Sequence, residues 1–469
     1  MPERRELGST AADAGLLRAF YDALYVPSFP DPDERESLAS IERYLRLRAE
    51  GWYGRNAYHV RLLLEGGRPV AGSISDYLAE PNSGVIEFLV VAPEDRGRGL
   101  GRALLAWTED GLAADARAAA QPGLESIVAE MNDPFRRPPA QDNVDPFLRL
   151  LVWGRWGYAR LDFPYVQPAL SAEQRPVTSM LLAMKHPGRA APPPAVPGAR
   201  VTRIVHEYLR WAMRIEVPDR CAEYRAMAEH LAGRETVALA PLDAYVGRDA
   251  DRPLEVHEIA DPHDADLDAV LRLYAGVFGA AATAADPATL RAAVADGGGR
   301  TGAWHLWALR ARAGDPVAGM ASFVTLDGFG FGGYVALAPP LRGTGRLPLL
   351  VARIEEQMLR DGRGATGWYV ECDDGAAPAL RRVGFHEVAV TYRQPPLRAG
   401  GEAPRLRLLY KAFGRTYAPP VLSPSALLDA VGLVYRVVYG IARPEEHPLH
   451  RALERQLAAS GAATAVALR

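Results

Sequence analysis

Apolar residues at helical spacing run from Ala11 to Leu24 and again from Glu34 to Arg48, the second stretch with its acidic residues early, as a helix start prefers. Alternating or β-branched runs follow at Tyr58 to Leu64, Val70 to Asp76 and Val85 to Val91, and Glu65-Gly66-Gly67-Arg68 between the first two reads as a hairpin turn. The third run ends at Ala92-Pro93. A glycine-rich segment succeeds it, and helical spacing resumes from Gly101 to Ala114. A strand at Ile127 to Glu130, a helix at Pro146 to Trp156, and strands around Leu161 to Val166 and Ser179 to Met184 complete the series. The pattern predicts helices, antiparallel strands, and then a strand, glycine-rich loop, helix, strand crossover.

The series then returns. Asp264 to Phe278 is helical, Trp304 to Arg310, Val317 to Thr325 and Gly333 to Leu337 read as strands, and Leu347 to Asp361 is a helix with Pro348 in its first turn. Gly367 to Glu371, Val388 to Arg393 and Leu406 to Tyr410 close it as strands. The two series match residue for residue at a slowly falling offset. Pro69-Val70-Ala71-Gly72 is echoed by Pro316-Val317-Ala318-Gly319 (316 − 69 = 247), and Arg96-Gly97 by Arg342-Gly343 (342 − 96 = 246). Glu130 matches Glu371 (241), while Gly157-Tyr158 and Tyr165-Val166-Gln167-Pro168 match Gly384-Phe385 and Tyr392-Arg393-Gln394-Pro395 (both 227). A one-way drift is what loop deletions in a duplicated unit produce. A helical tail repeats too, Tyr208 to Leu231 and Tyr435 to Leu457, each crossing a proline, Pro218 and Pro444. Proline-rich 190–197 and polar 247–253 suggest the joints. The expected division is 1–190, a helical extension 191–252, a second domain 253–415, and a helical extension 416–469.

Length alone, at roughly 150 residues per domain, suggests about three domains for 469 residues, and the repeat replaces that with two units. A composition 48% hydrophobic and 24% charged is that of an ordinary globular protein and excludes disordered, collagenous and coiled-coil classes. Lys+Arg 54 against Asp+Glu 57 gives a net charge of −3, so no basic field exists to hold nucleic acid or an anionic membrane. Only two of those cations are lysines, Lys185 and Lys411, and they fall in register (411 − 185 = 226), each closing an apolar run. Both read as ion-pair partners at a strand end. Cys221 and Cys372 are too few for a disulfide scaffold, the opening residues lack the apolar core of a signal peptide, and no apolar run reaches a membrane span. A cytoplasmic protein is expected. His206, His230 and His257 show no metal-ligand spacing, so no metal is expected.

Chemistry concentrates in Arg96-Gly97-Arg98-Gly99-Leu100-Gly101, between a strand and a helix. Glycines there let successive N–H groups point at one anion, and the helix N-terminus adds partial positive charge. The segment lacks the Lys-Ser/Thr of a P-loop and the spacing of a dinucleotide fingerprint. In context, the run Leu89 to Gly101 resembles motif A of the GNAT acetyltransferase superfamily, Arg/Gln-x-x-Gly-x-Gly/Ala after a strand ending in Val-x-Pro. The resemblance covers about residues 10–185 and, more loosely, about 255–412. It implies two tandem GNAT folds of α/β (α+β) class, each a mixed, mostly antiparallel sheet flanked by helices and followed by a helical extension. It also implies acetyl-CoA or another acyl-CoA as cosubstrate. The pyrophosphate would lie on Arg96, Gly97, Arg98, Gly99, Leu100, Gly101 and Arg102, and the pantetheine on the backbone of Leu89, Val90 and Val91. The second copy reads Arg342-Gly343-Thr344-Gly345-Arg346-Leu347, with Leu347 where the motif wants a small residue.

Acyl transfer to an amine needs a base for the ammonium proton and an acid for the leaving thiolate. Glu87, two residues before Leu89, sits where the family often places its base; the aligned residue in the second copy is Gly333 (333 − 87 = 246). The family's usual acid, a tyrosine, is replaced by Trp153 and Leu380, and Tyr165 is the substitute candidate. Glu130 and Asn132, at the end of the strand after the motif, are candidates for acceptor binding or for capping the next loop. Cys372 lies between two acids that would raise its pKa, which argues against a covalent role. The expectation is an acyl-CoA-dependent N-acyltransferase with a catalytic first copy, a degenerate second copy, and a primary amine of a small molecule as acceptor. The alternative is a non-catalytic acyl-CoA-binding or scaffold protein. Neither nucleic acid nor membrane is an expected partner, and the two copies are expected to pack as an internal pseudo-dimer within a monomer or a homodimer.

Overall fold

The strand that opens the chain carries no apolar residue: Glu3–Glu6 (β1) is Glu-Arg-Arg-Glu and pairs antiparallel with Ala57–Glu65 (β2). A hydrophobic pattern cannot announce such an edge strand, and its charges suit a sheet edge that must not pair with another chain. In the computed structural model, which describes residues 2–468 apart from 139–140, 190, 280, 282, 296–300, 398–400, 418 and 460–464, the chain divides into units Met1–Leu242 and Asp243–Arg469.

In the first unit, α1 (Ala11–Phe20) runs through a π-helical turn, Tyr21–Tyr25, into α2 (Val26–Ser28), and α3 (Leu38–Ala49) follows. After β2 come β3 (Arg68–Leu78), β4 (Ser83–Val91), α4 (Leu100–Ala118), β5 (Ser126–Asn132), α5 (Pro146–Arg155), β6 (Ala159–Leu161) and β7 (Met180–Lys185). Strands β8 (Ala195–Pro197) and β9 (Thr236–Pro241) bracket α6 (Gly198–Trp211) and α7 (Ala222–Ala232), and a short α8 (Leu242–Tyr245) follows. The sheet order is β1-β2-β3-β4-β5-β7-β6-β9-β8, with β4 and β5 parallel and the other pairs antiparallel.

The second unit carries β10 (Glu255–Glu258), α9 (Leu267–Phe278), α10 (Pro287–Ala295), β11 (Ala303–Arg310), β12 (Gly319–Leu326), β13 (Phe329–Leu337), α11 (Arg346–Arg360), β14 (Gly367–Cys372) and α12 (Ala377–Arg382). Short β15 (His386–Glu387) and β16 (Tyr392–Arg393), then β17 (Arg405–Ala412), α13 (Pro424–Val437) and α14 (Pro448–Ala459), complete it. Its order, β10-β11-β12-β13-β14-β17-β15, repeats β1-β2-β3-β4-β5-β7-β6, again with one parallel pair, β13 and β14. One mixed, mostly antiparallel α/β fold is therefore built twice.

Pairing detail deepens the match. Each central hairpin carries a bulge at the same place, between Ile74 and Ser75 opposite β4 and between Ser322 and Phe323 opposite β13. The lysines are in register in space as well: Lys185 Nζ lies 2.7 Å from both Glu109 oxygens, and Lys411 bonds Glu355 (355 − 109 = 246).

Several elements differ from the pattern-based expectation. The segment expected as a helical extension or linker also contributes β8, three residues ending in proline, and β9, whose buried Val237 and Leu239 alternate with more exposed neighbours. β6 stops at Leu161 because Pro164 and Pro168 deny backbone donors to a longer ladder. β13 begins four residues before Gly333. Its glycines admit neighbours: a Cβ on Gly330 would sit 2.2 Å from Met358 Sδ.

The extension is part of the first unit's core. Val201, Ile204, Val205, Tyr208 and Leu209 form one stripe of α6, at helical spacing, and bury against β-strand residues including Val128, Leu161, Leu182 and Met184. Helices α1 and α3 cover a second cluster with Tyr58, Val60, Leu62, Ile74 and Phe88.

Candidate active site

β4 pairs with β5 only from Ser83 to Ile86, against Ser126 to Ala129. Beyond that point the two parallel strands part, so Glu87 to Val91 and Glu130 to Asn132 face each other across a gap instead of a ladder. A cleft of about 750 Å³ opens there. Glu87, Leu89, Val90 and Val91 line one side, and Arg96, Gly97, Gly99, Leu100, Gly101 and Arg102 line its upper end. Glu130 and Asn132 line the other side, and Gln141 to Val144 from the loop 133–145 wall it in. Two of the expected residues stand apart. Arg98 is turned onto Glu65 (2.7 Å) and Asp95, and Tyr165 is buried, its hydroxyl donating to Glu130.

Gly97 and Gly99 have φ of 80° and 78°, left-handed values that glycine adopts without strain. Gly99 is the N-cap of α4 and supplies no side-chain bond, so the first helical N–H groups stay open toward the cleft. This is a cradle for a phosphate-type anion. Gly343 and Gly345 repeat the turn, with φ of 69° and 76°, but the Arg252 side chain lies against Gly345.

Electrostatics single out the carboxylates. Burial pushes Glu87 well above the ordinary carboxylate range, and the charge and hydrogen bond of Asp76 add to this, with Glu36 behind them. Burial also brings Glu130 up to about 7, against the pull of hydrogen bonds from Tyr165 and Tyr208. Glu34, on the cleft wall, rises to about 7 through burial despite its ion pair with Arg137. Asn132 donates to Asp142 (3.3 Å) and leaves its Oδ1 without a partner. Trp153 lines the cleft with an indole, which offers a departing thiolate no useful acid.

Sequence reasoning missed Asp76, Glu34, Glu36, Tyr208 and Arg214. Asp76 reads as an alternating polar position in a strand. Tyr208 and Arg214 lie in the extension, far along the chain from the motif, and only the packing of α6 brings them in. In the second unit β13 and β14 also part, after Gly332 and Val370, but Glu371 there is held by Tyr392 and by Tyr439 (2.6 Å). Only residues 373–376 join β14 to α12, so the second unit has no counterpart of the Gln141 to Val144 wall among the described residues. Cys372 is pushed up to about 12 by burial and by Asp373. His257 Nε2 is 2.8 Å from Asp264, with Asp266 close by, but Arg310 holds Asp266, so the group is satisfied as an ion network. Among the described residues no helix is long and apolar enough to cross a membrane.

The family model described as Acetyltransferase (GNAT) family matches residues 18–133. No curated protein matches the chain. Among solved structures, a tandem GNAT protein from the clavulanic acid biosynthesis pathway is 15% identical, with 89% of this chain and 100% of that chain covered and a TM-score of 0.28. The ribosomal-protein-S18-alanine N-acetyltransferase of Escherichia coli is 15% identical over 40% of this chain and 97% of its own, with a TM-score of 0.25. The family match spans the motif strand, the loop and α4, and the same strand order is built a second time in this chain.

Proposed function

We propose that the first unit transfers an acetyl or other short acyl group from acyl-CoA to a primary amine of a small molecule, and that the second unit is a degenerate copy. One observation carries this reading: a single cleft has the open N-terminus of α4 at one end and the raised-pKa carboxyl of Glu87 where β4 and β5 part. The Gly97 to Arg102 backbone suits the pyrophosphate, with Arg96 and Arg102 adding charge. Leu89 to Val91, unpaired on the β5 side, suits the pantetheine amides. The thioester supplies the acyl group. Glu87 takes the proton of the entering ammonium; burial and Asp76 raise its carboxyl above the ordinary range, which makes it a stronger base than a solvated carboxylate. Glu130 and Asn132 line the acceptor side, and Tyr165 acts through Glu130 instead of touching the thiolate. The second unit lacks the base, holding Gly333 in its place, and lacks the cleft wall.

Mass spectrometry of the purified full chain for co-purified CoA esters tests the assignment. Wild type and Gly345→Glu are expected to carry acyl-CoA and Gly99→Glu to lose it, because a glutamate in that turn sets a charge against the pyrophosphate. Loss in Gly345→Glu alone would move the site to the second unit. An acyl-CoA that stays bound but is never consumed with any amine would support the non-catalytic carrier, which the indole of Trp153 at the acid position otherwise favours.

A further inference from the structure

Asp76 on β3 is 1% exposed, yet neither of its oxygens meets an N–H or hydroxyl donor among the described residues. Glu87 Oε1 is also enclosed and unpartnered. The two carboxyls lie together because of a register fault. In the β3–β4 ladder Ser75 pairs with Ile86 and Ile74 with Phe88, so Glu87 is the extra, bulged residue, swung out of the ladder toward Asp76. The one hydrogen bond open to Asp76 comes from Glu87 when Glu87 carries a proton.

A buried carboxyl pair without donors is costly, since two adjacent carboxylates cannot both ionise there. The fold does not need it. Val85 and Phe331 are equivalent (331 − 85 = 246), and their ladder partners are Asp76 and Val324. The second unit therefore has Val324 and Gly333 where the first has Asp76 and Glu87, and both carboxyls are missing together from the copy that lacks a cleft wall.

We propose that Asp76 and Glu87 form a two-carboxyl proton acceptor sharing one proton at rest, with Glu87 meeting the acceptor amine and Asp76 the positioning residue behind it. The proposal rests on the acyl-transfer reading. As the ammonium enters, its proton passes to Glu87 while the proton of Glu87 passes to Asp76. The free amine then forms the new N–C bond as the C–S bond breaks, the thiolate takes up the proton that the new amide sheds, and the carboxyl pair returns one proton to solvent. Burial and mutual repulsion raise both carboxyls. The charged and titratable groups facing the pair are Glu36, whose carboxyl burial raises to about 7, the tyrosines Tyr25, Tyr44, Tyr53, Tyr58 and, from α6, Tyr208, His59 across the sheet, and Arg214 from beyond α6. The Arg214 guanidinium lies 4.3 Å from the Tyr44 ring centre and 4.8 Å from that of Tyr53, so the pair's remaining negative charge has a cation near it that does not neutralise it by direct bonding.

The test is the pH profile of kcat/KM for the full chain with acetyl-CoA and an amine it consumes. In Asp76→Asn a weaker amide N–H replaces the shared carboxyl proton as donor to the anionic oxygen, so the acid limb should move up by about a pH unit while the protein stays folded by thermal melt. A lower rate with an unmoved limb would make Asp76 merely structural and overturn the proposal. Should Asp76→Asn not fold, carboxyl-carbon NMR of the wild type decides: two steps separated by more than a unit, collapsing to one in Glu87→Gln, are expected, and a single step in the ordinary carboxylate range overturns it. If the wild type turns over no amine at all, the acyl-transfer reading itself falls. If it turns over and the limb stays, only the carboxyl pair does.

Discussion

Glu130 shows what burial does to a single carboxyl. Tyr165 and Tyr208 donate to it, yet desolvation still holds it at about 7 against an ordinary 4.5. Glu371 repeats the arrangement with Tyr392 and Tyr439, also at about 7. A carboxyl whose pKa rises on folding binds its proton more tightly in the folded state, so it withdraws stability as pH climbs from about 4.5 through 7. Replacing Glu130 by Gln keeps an oxygen for both tyrosines and removes the ionisation. In denaturant titrations, Glu130→Gln should match the wild type near pH 4.5 and exceed it at pH 8 by about 3 kcal/mol; equal midpoints at pH 8 would show that Glu130 is solvated. The motif places the loop glycines and Glu87 about one strand end, and the strand after it carries Glu130 and Asn132, so the sequence already directs all of them toward the cleft they line. Asp76 was not legible, since its importance comes from a bulge that no spacing rule reveals, nor was Arg214, which arrives through tertiary packing.

Edge strands tell the same story among elements. Both β1 and β10 are polar and invisible to hydrophobic periodicity, and both are clasped by a histidine. His59 sits with Nδ1 2.7 Å from Glu6 on β1 and Nε2 2.8 Å from Asp115 on α4. His305 sits with Nδ1 3.1 Å from Glu258 on β10 and Nε2 3.2 Å from Asp361 after α11. A ring with a carboxylate at each nitrogen carries both protons. Burial works against the His305 charge, but the Asp361 and Glu258 bonds outweigh it and bring the ring to about 9, and His59 is raised in the same way. Stability from a raised histidine is complete below its unfolded pKa of about 6.5 and disappears as pH rises through the folded value. Glu6 has the opposite sign. Burial would raise it, but the His59 bond and the charges of His59, Arg61 and Arg48 lower it to about 2, so its contribution is present above about 4.5 and lost on acidification toward 2. Unfolding midpoints should therefore fall between pH 6.5 and 9, and His305→Gln should flatten that slope. The effect is at most about 3 kcal/mol, less whatever solvent screening at half-exposed Glu258 removes. An unchanged slope in His305→Gln would assign the alkaline loss elsewhere.

On the scale of the molecule, the repeat was read correctly from offsets alone, and α6, beyond residue 190, packs into the core of the first unit. The five apolar side chains of the α6 stripe, at about 2 kcal/mol each when buried, amount to roughly the whole stability of a typical domain. A fragment of residues 1–242 should fold, whereas 1–190 should aggregate or show no cooperative melt. A cooperative transition in 1–190 would mean that the α6 face is dispensable. Offsets also show where the copies diverge most: between Glu130 and Gly157 the value drops from 241 to 227, in the stretch that walls the first unit's cleft. The chain thus contains its own control experiment. The second unit keeps the bulge, the lysine clasp and the histidine clasp while lacking the carboxyl pair and the wall, and so separates, within one polypeptide, what the architecture demands from what reactivity demands. The carboxyl pair and the wall, found only in the first unit, are where an enzymologist should look next.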